Sequence, residues 1–222
     1  MALTKEDLIR IVTEKVLAEL QDLVPGLPPP PSDTIPIGIS ARHVHLCREH
    51  LDLLFGEGYE LTPRNELYQP GQFAAEETVT LVTTKRVLQG VRILFPLRSE
   101  TQVEIARSDA IYLGVDPPVR DSGELEGTPG ILLLGPKGAV QLERGVIVAA
   151  RHIHMHTSDA QRYGLKDGDR VCVDLSGHRS LIFRNVKVRV SPNYRLQMHL
   201  DTDEANAADV MYGAVARIIP SV

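Results

Sequence analysis

Two short stretches carry the residues best suited to chemistry. "ISARHVHL" begins at Ile39 and "VAARHIHM" at Val148, so Ala-Arg-His-X-His is written twice, with His43 and His152 lying 109 positions apart. Neutral imidazole nitrogen is a good ligand for zinc and its neighbours among the divalent metals. In a strand, residues i and i+2 project from one face about 6.5–7 Å apart along the chain, so both rings of a His-X-His can converge on one ion. One copy alone would be read as two surface histidines. Two copies, each inside an apolar run, ask for a common cause.

Each half carries a second echo. Gln102 and Glu104 in "TQVEIARSDA" match Gln197 and His199 in "LQMHLDTDEA". Aligning the two glutamines places Glu104 on His199. His43, His45 and Glu104 then form a His₂-carboxylate set, and His152, His154 and His199 a His₃ set. Three protein ligands leave a position open for water or substrate, as in catalytic zinc sites. Ligands without thiolate also suit iron, cobalt or manganese. Five of the eight histidines fall in these sets. His50, in a helix, and His178, in a Gly-Ser-rich turn, are expected to be solvated. His156 continues the second set at period two, and Cys47 holds the matching place in the first. Both sit where a helix opens and are read as cap-adjacent residues rather than fourth ligands. Arg98, in "VRILFPLRSETQVEI", shares a face with Glu104 if that stretch is extended. A guanidinium there would clamp an oxyanion or a phosphate. Arg92, in the same stretch, reads on its own as an edge-strand surface arginine.

The elements that must position these residues are mostly strands. From Thr34 on, "IPIGISARHVHL", "TVTLVTTKRVLQGVRILFPL", "TQVEIA", "GVIVAARHIHM", "DRVCVDL", "LIFRNVKVRV" and "RLQMHLD" are short, β-branched and often alternating. Short helices follow each His-X-His, at "REHLDLLFG" and "TSDAQRYG", and each ends near a glycine. The expected fold is mainly β: two small β-barrels from an internal duplication, capped by short α-helices. Residues 4–24 have apolar positions at helical spacing and a capping-box-like start at Thr4, giving an N-terminal amphipathic helix. Residues 25–33 contain four consecutive prolines and form a stiff linker.

Composition narrows the function classes. A net charge of −5 excludes a dominant nucleic-acid footprint. The longest apolar runs are too short to span a bilayer. Two cysteines give no disulfide framework and point to a reducing compartment. Glu6, Asp7 and Glu14 argue against a secretory signal. No phosphate-binding glycine loop and no Gly-x-Ser-x-Gly elbow is present.

Taken together, "SARHVHL", "LTPRNELYQPGQFAAEETVTLV", "FPLRSETQVE", "ARHIHM", "GLKDGDRV" and "QMHLDTDEANAA" resemble the PduL-type phosphate acyltransferases (phosphate propanoyltransferases, or phosphotransacylases) of bacterial microcompartments. The resemblance runs from about Ile37 to Pro220. It implies transfer of a propanoyl or acetyl group between coenzyme A and inorganic phosphate, in settings such as propanediol degradation. It also implies two barrels, one from residues 34–41 with 150–222 and one from residues 42–149. A dinuclear site, usually zinc, would use His43, His45 and Glu104 for one metal and His152, His154 and His199 for the other. Arg98 would hold phosphate, and Ser40, Arg92 and Asn206 would lie near coenzyme A. The implied mechanism is direct attack of phosphate on the thioester, with one metal and Arg98 holding the dianion while the other metal polarises the carbonyl.

Two positions depart from the family pattern. Asn65 stands where many relatives carry a basic residue, and Cys47 where a serine-like cap is usual. The resemblance further implies that residues 4–24 dock on a shell protein, that the enzyme resides in the microcompartment lumen, and that it forms a homodimer or larger homo-oligomer. Two other classes are open from the residues alone: a metal-dependent thioester or ester hydrolase, and a metal-stabilised scaffold.

Overall fold

The computed structural model describes residues 33–220. The helix expected over 4–24 and all but the last residue of the 25–33 linker lie outside them. In chain order the first elements are β1 (Thr34–Ser40), β2 (His43–His45), α1 (Arg48–Phe55), β3 (Pro63–Glu66), β4 (Phe73–Val82), β5 (Val87–Phe95), β6 (Gln102–Glu104) and α2 (Arg107–Leu113). Then come β7 (Val119–Arg120), β8 (Leu132–Leu134), β9 (Ala139–Gln141), β10 (Val146–Ala149), β11 (His152–Met155) and α3 (Thr157–Tyr163). The last are β12 (Arg170–Leu175), β13 (Leu181–Val190), β14 (Gln197–Asp201), α4 (Thr202–Ala207) and β15 (Val215–Ile219). The fold is mainly β with short helices, as the alternating pattern predicts.

The strands form two layers with different degrees of closure. A closed barrel runs β1-β14-β11-β13-β12-β15. The other sheet runs β7-β10-β6-β2-β5-β4-β8-β9, with β3 added beside β4. Each encloses its own core. One is built on Val44, Leu54, Leu81, Ile93, Val103 and Leu133, the other on Ile35, Ile153, Met155, Val188, Met198 and Leu200. Among the described residues no helix is long and apolar enough to cross a membrane.

The sequence reads Ile35–Leu46 and Gly145–Met155 as two continuous strands. Each is broken at its Ala-Arg pair. β1 lies in the barrel and β2 in the other sheet; β10 lies in that sheet and β11 in the barrel. The chain therefore crosses between the layers twice, each time through Ala-Arg, and each His-X-His begins just past a crossing. The arginines secure these crossings. Arg42 holds Asp109 through Nε (2.9 Å) and Nη2 (2.8 Å). Arg151 holds Glu204 at 2.6 Å. Asp109 and Glu204 stand at equivalent places in the first turns of α2 and α4, where each also accepts a helix-capping N–H, from Ala106 and Asp201 respectively.

Three further links tie the halves together. Lys187 pairs with Asp121. Ser108 donates through its N–H (2.7 Å) and hydroxyl (2.6 Å) to Asp203. Buried Gln69 exchanges hydrogen bonds with the backbone of Arg195, at 3.0 and 3.1 Å.

Candidate metal centre

β2 pairs antiparallel with β6, setting His43 opposite Glu104; β11 pairs antiparallel with β14, setting His152 opposite His199. Residues opposite one another share a face, so each His-X-His meets its third partner on the side away from the core. Val44 and Ile153, between the histidines, are fully buried on the other side. This alternation is why His-X-His, rather than His-X-X-His, fits a strand.

In the first set, His43 Nε2 lies 3.4 Å from one Glu104 oxygen and His45 Nε2 lies 3.9 Å from the other. In the second, the rings of His152, His154 and His199 are 4.6–4.9 Å apart. Within each set the candidate ligand atoms lie within 4.8 Å of one another. The two leading histidines are oriented alike. His43 Nδ1 sits 2.8 Å from the carbonyl of Ala41, and His152 Nδ1 2.8 Å from that of Ala150. A carbonyl can only accept, so Nδ1 carries the proton and Nε2 offers its lone pair to the site. That is the usual arrangement of a ligating histidine.

Nδ1 of His45, Nδ1 of His154 and Nε2 of His199 are buried without a partner. A buried polar atom left unpaired is costly, and a cation bound by His154 and His199 would relieve that cost in the second set; in the first, His45 Nε2 rather than Nδ1 faces the Glu104 carboxylate. The donor sets therefore fit metal ions.

Charge in the site follows from burial. Burial, then the neighbouring His43 charge, lowers His45 to about 3, and burial with His152 lowers His199 to about 3. His152 and His154 are lowered too, chiefly by burial. These imidazoles are neutral at pH 7, as ligands must be. His43 differs: burial pulls its pKa down, but Glu104 outweighs that and raises it. Burial works against the Glu104 carboxylate, yet His43, His45 and Arg98 hold it well below the usual range.

The structure brings most of the sequence-expected residues to the same place. Ser40 Oγ is 3.4 Å from His199 Nδ1. Ser40, Glu104, His152 and His199 line one small cavity where the layers meet. Arg98 donates to His45 Nε2 (2.8 Å) and Ser122 Oγ (2.7 Å). It gets there differently from the extended geometry considered above. β5 stops at Phe95 and β6 starts at Gln102, and the intervening turn is pinned by the Arg98 N–H to the carbonyl of Leu46 at 2.9 Å.

Other expected residues stand apart from this group. Arg92 is opposite His43, but its guanidinium donates to the carbonyls of Ala75 (3.0 Å) and Glu76 (2.7 Å). Asn206 is exposed on α4, and Asn65 is exposed on β3. Cys47 and His156 are the N-cap residues of α1 and α3; His156 accepts the Ser158 N–H and is not in the second set. His178 is exposed in a turn. His50 is only half-buried and pairs with the Thr101 hydroxyl at 2.8 Å, so it is more than a solvated helix residue.

Sequence reasoning missed Ser122, which donates to Glu104 at 3.0 Å and receives from both Arg98 and Gln102. It also missed the Arg42–Asp109 and Arg151–Glu204 clamps. The clamps were within reach: the spacing that aligns Gln102 with Gln197 also aligns Asp109 with Glu204.

Fold and site together define a duplicated β-protein that presents paired, open candidate metal sets where its halves meet. Residues 36–211 match the model of a family described as phosphate propanoyltransferase. A phosphate propanoyltransferase of Thermotoga maritima is 54% identical over 210 residues, covering 94% of this chain and 99% of that protein. One from Citrobacter freundii is 55% identical over 78% of this chain and 83% of its own length. One from Lachnoclostridium phytofermentans is 46% identical over 97% of this chain and its full length. The chain belongs to the phosphate propanoyltransferase family and is an acyltransferase.

Proposed function

We propose that the protein transfers an acyl group, propanoyl or acetyl, between coenzyme A and inorganic phosphate by direct attack of phosphate on the thioester. The observation that carries this reading is the half-buried guanidinium of Arg98 at the edge of paired, open ligand sets. Such a cation implies a bound anion rather than water alone. His43, His45 and Glu104 would hold one divalent metal, and His152, His154 and His199 a second. When bound, the ions supply Lewis-acid polarisation and charge neutralisation.

The chain's own residues do the rest. Arg98 binds and orients the phosphate dianion. The donors from Ser122 and Gln102 keep the Glu104 carboxylate aimed at the site. Ser40, Arg92 and Asn206 take up coenzyme A, a role that rests on the family resemblance. A phosphate oxygen forms a bond to the thioester carbon, the carbon–sulfur bond breaks, and coenzyme A leaves as thiolate. Phosphate is already an anion at neutral pH, so no side chain need remove a proton from it. The contribution of the site is then proximity and electrostatic matching.

By the same resemblance, residues 4–24 carry the enzyme into a microcompartment lumen by docking on a shell protein.

The test is release of thiol from propanoyl-coenzyme A, followed with a thiol reagent, with and without phosphate. Phosphate-dependent release is expected. Release independent of phosphate makes the protein a hydrolase, and no release with metal loaded makes it a scaffold.

A further inference from the structure

β13 runs parallel to β11 and sets Lys187 opposite His152 and Arg189 opposite His154. Val186 and Val188 are fully buried in the barrel core, so Lys187 and Arg189 stand on the histidine face. β5 does the same beside β2, with Arg92 opposite His43 and Leu94 opposite His45. Arg189 therefore holds the place that an apolar residue, Leu94, holds in the other half.

The counterpart of Arg98 is also visible. The Arg98 N–H donates to the carbonyl of Leu46, and the Ser191 N–H to that of Met155, the residue equivalent to Leu46. Each half thus brings one arginine to its own histidine set, from non-equivalent positions.

The partners of the two basic residues on β13 differ. Lys187 is neutralised by Asp121. Arg189 is half-buried and makes no hydrogen bond or ion pair among the described residues. Its charge reaches the second histidine set and, across the junction, Arg98, where the Glu104 carboxylate offsets part of the repulsion. Glu104 answers Arg98, but no described carboxylate pairs with Arg189, so an anion that joins the two guanidiniums is favourable there.

We infer that Arg189 is a second phosphate-contacting residue: Arg98 from one half and Arg189 from the other hold the attacking phosphate between them. The inference rests on the phosphate-acyltransfer reading. It accounts for the placement of the arginines at the junction, where one dianion can meet both.

The test uses the full-length, zinc-loaded protein with Arg189→Gln and Arg189→Lys. Three quantities are read: metal content, direct binding of inorganic phosphate without acyl-coenzyme A, and separate KM values for phosphate and propanoyl-coenzyme A. Loss of a charge-assisted contact should weaken phosphate about ten- to a hundredfold in the glutamine variant, with the propanoyl-coenzyme A KM changed by no more than about twofold. The lysine variant should recover part of the loss, since it keeps the charge but not the planar fork. Metal content should match wild type in both.

Unchanged phosphate binding in Arg189→Gln overturns the inference. So does a loss that falls on propanoyl-coenzyme A instead, or loss of metal from both variants, which would make Arg189 a support of the histidine set. The broader reading fails separately, if wild-type thiol release does not depend on phosphate; the phosphate-binding measurement still reports on Arg189 in that case.

Discussion

Removing the Arg98 side chain tests whether anion binding and metal binding are separable, because it touches one candidate ligand, His45, yet belongs to neither ligand set. Its guanidinium donates to Ser122 at 2.7 Å and to His45 at 2.8 Å, while its backbone N–H holds the turn on Leu46. Arg98→Ala leaves that backbone anchor in place. Ser122 keeps its hydrogen bonds with Glu104 and Gln102, so the carboxylate stays oriented. The His45 nitrogen that Arg98 occupied becomes free, and a repelling cation leaves the first ligand set. Metal affinity should therefore hold or rise, and the folding cost should be about 1–2 kcal/mol for two partly exposed hydrogen bonds. The loss should fall on phosphate. Two charge-assisted bonds at about 1.5–3 kcal/mol each predict a fall in kcat/KM for phosphate of roughly 10²–10⁴-fold. Arg98→Lys should restore about one such bond, leaving a deficit of at least roughly tenfold. Steady-state rates with phosphate and propanoyl-coenzyme A varied separately, beside metal analysis of each variant, check this. An unchanged phosphate KM and rate in Arg98→Ala, with metal intact, would return the residue to structure. Loss of about one metal per chain would refute the claim that anion and metal binding separate here.

Three other outcomes are expected. His43→Ala or His154→Ala should remove most activity and about one metal per chain, because each deletes one of three protein ligands; near-normal turnover with less than one metal per chain would sink the dinuclear reading. Cys47→Ser should keep most activity, since Cys47 stands at the N-cap position of α1 without a side-chain capping bond and its sulfur lies 3.4 Å from the Thr101 hydroxyl, outside both sets; an inactive but fully metallated variant would contradict direct transfer and point to an acyl-cysteine step. Deleting residues 1–33 should leave specific activity and metal content near wild type while reducing assembly into large oligomers, and residues 1–24 fused to a fluorescent protein should enter compartments in shell-producing cells; a diffuse fusion beside a packaged full-length enzyme would place the targeting signal elsewhere.

The ligand sets were legible because two periodicities coincide. Alternation along a strand puts both histidines of His43-Val44-His45 on one face, and antiparallel pairing puts Glu104 on the same face. Both follow from sequence once the repeat is aligned. The crossings were not legible in the strand pattern; only the family resemblance divided the chain at 41/42 and 149/150. Ile35–Leu46 is apolar enough to read as one strand, and nothing in Ala41-Arg42 marks a break. Its physical cause lies in Asp109, a residue far along the chain that holds Arg42. Arg98 was found for its charge, but its route to the site depends on a turn held by a single backbone hydrogen bond to Leu46. Ser122 lies in an irregular segment between β7 and β8 and carries no periodic pattern at all. Arg189 is one of several basic residues in "LIFRNVKVRV"; the register of β13 against β11 puts it and Lys187 on the histidine face, and the Asp121 pair tells the two apart.

The repeat is most informative where it is broken. Equivalent strands supply Glu104 to one set and His199 to the other, so the first set carries one negative charge and the second none. A divalent metal held by the first would be half neutralised by its own ligands; one held by the second would keep its full charge. The arginines do not cancel this difference, since each half contributes one. With both sets metal-loaded, the side of the junction formed by β11, β13 and β14 would therefore be the more positive, and a phosphate dianion would gain most there. A thioester carbonyl is neutral until attacked and loses less by lying against the partly neutralised set. Identical halves would offer two equal positions and no means of sorting an anion from a neutral ester. Exchanging one carboxylate for one imidazole, with the strand pairing unchanged, would supply that sorting. On the proposed reaction, the duplication would supply two positions and its departure from symmetry would sort two unlike substrates between them.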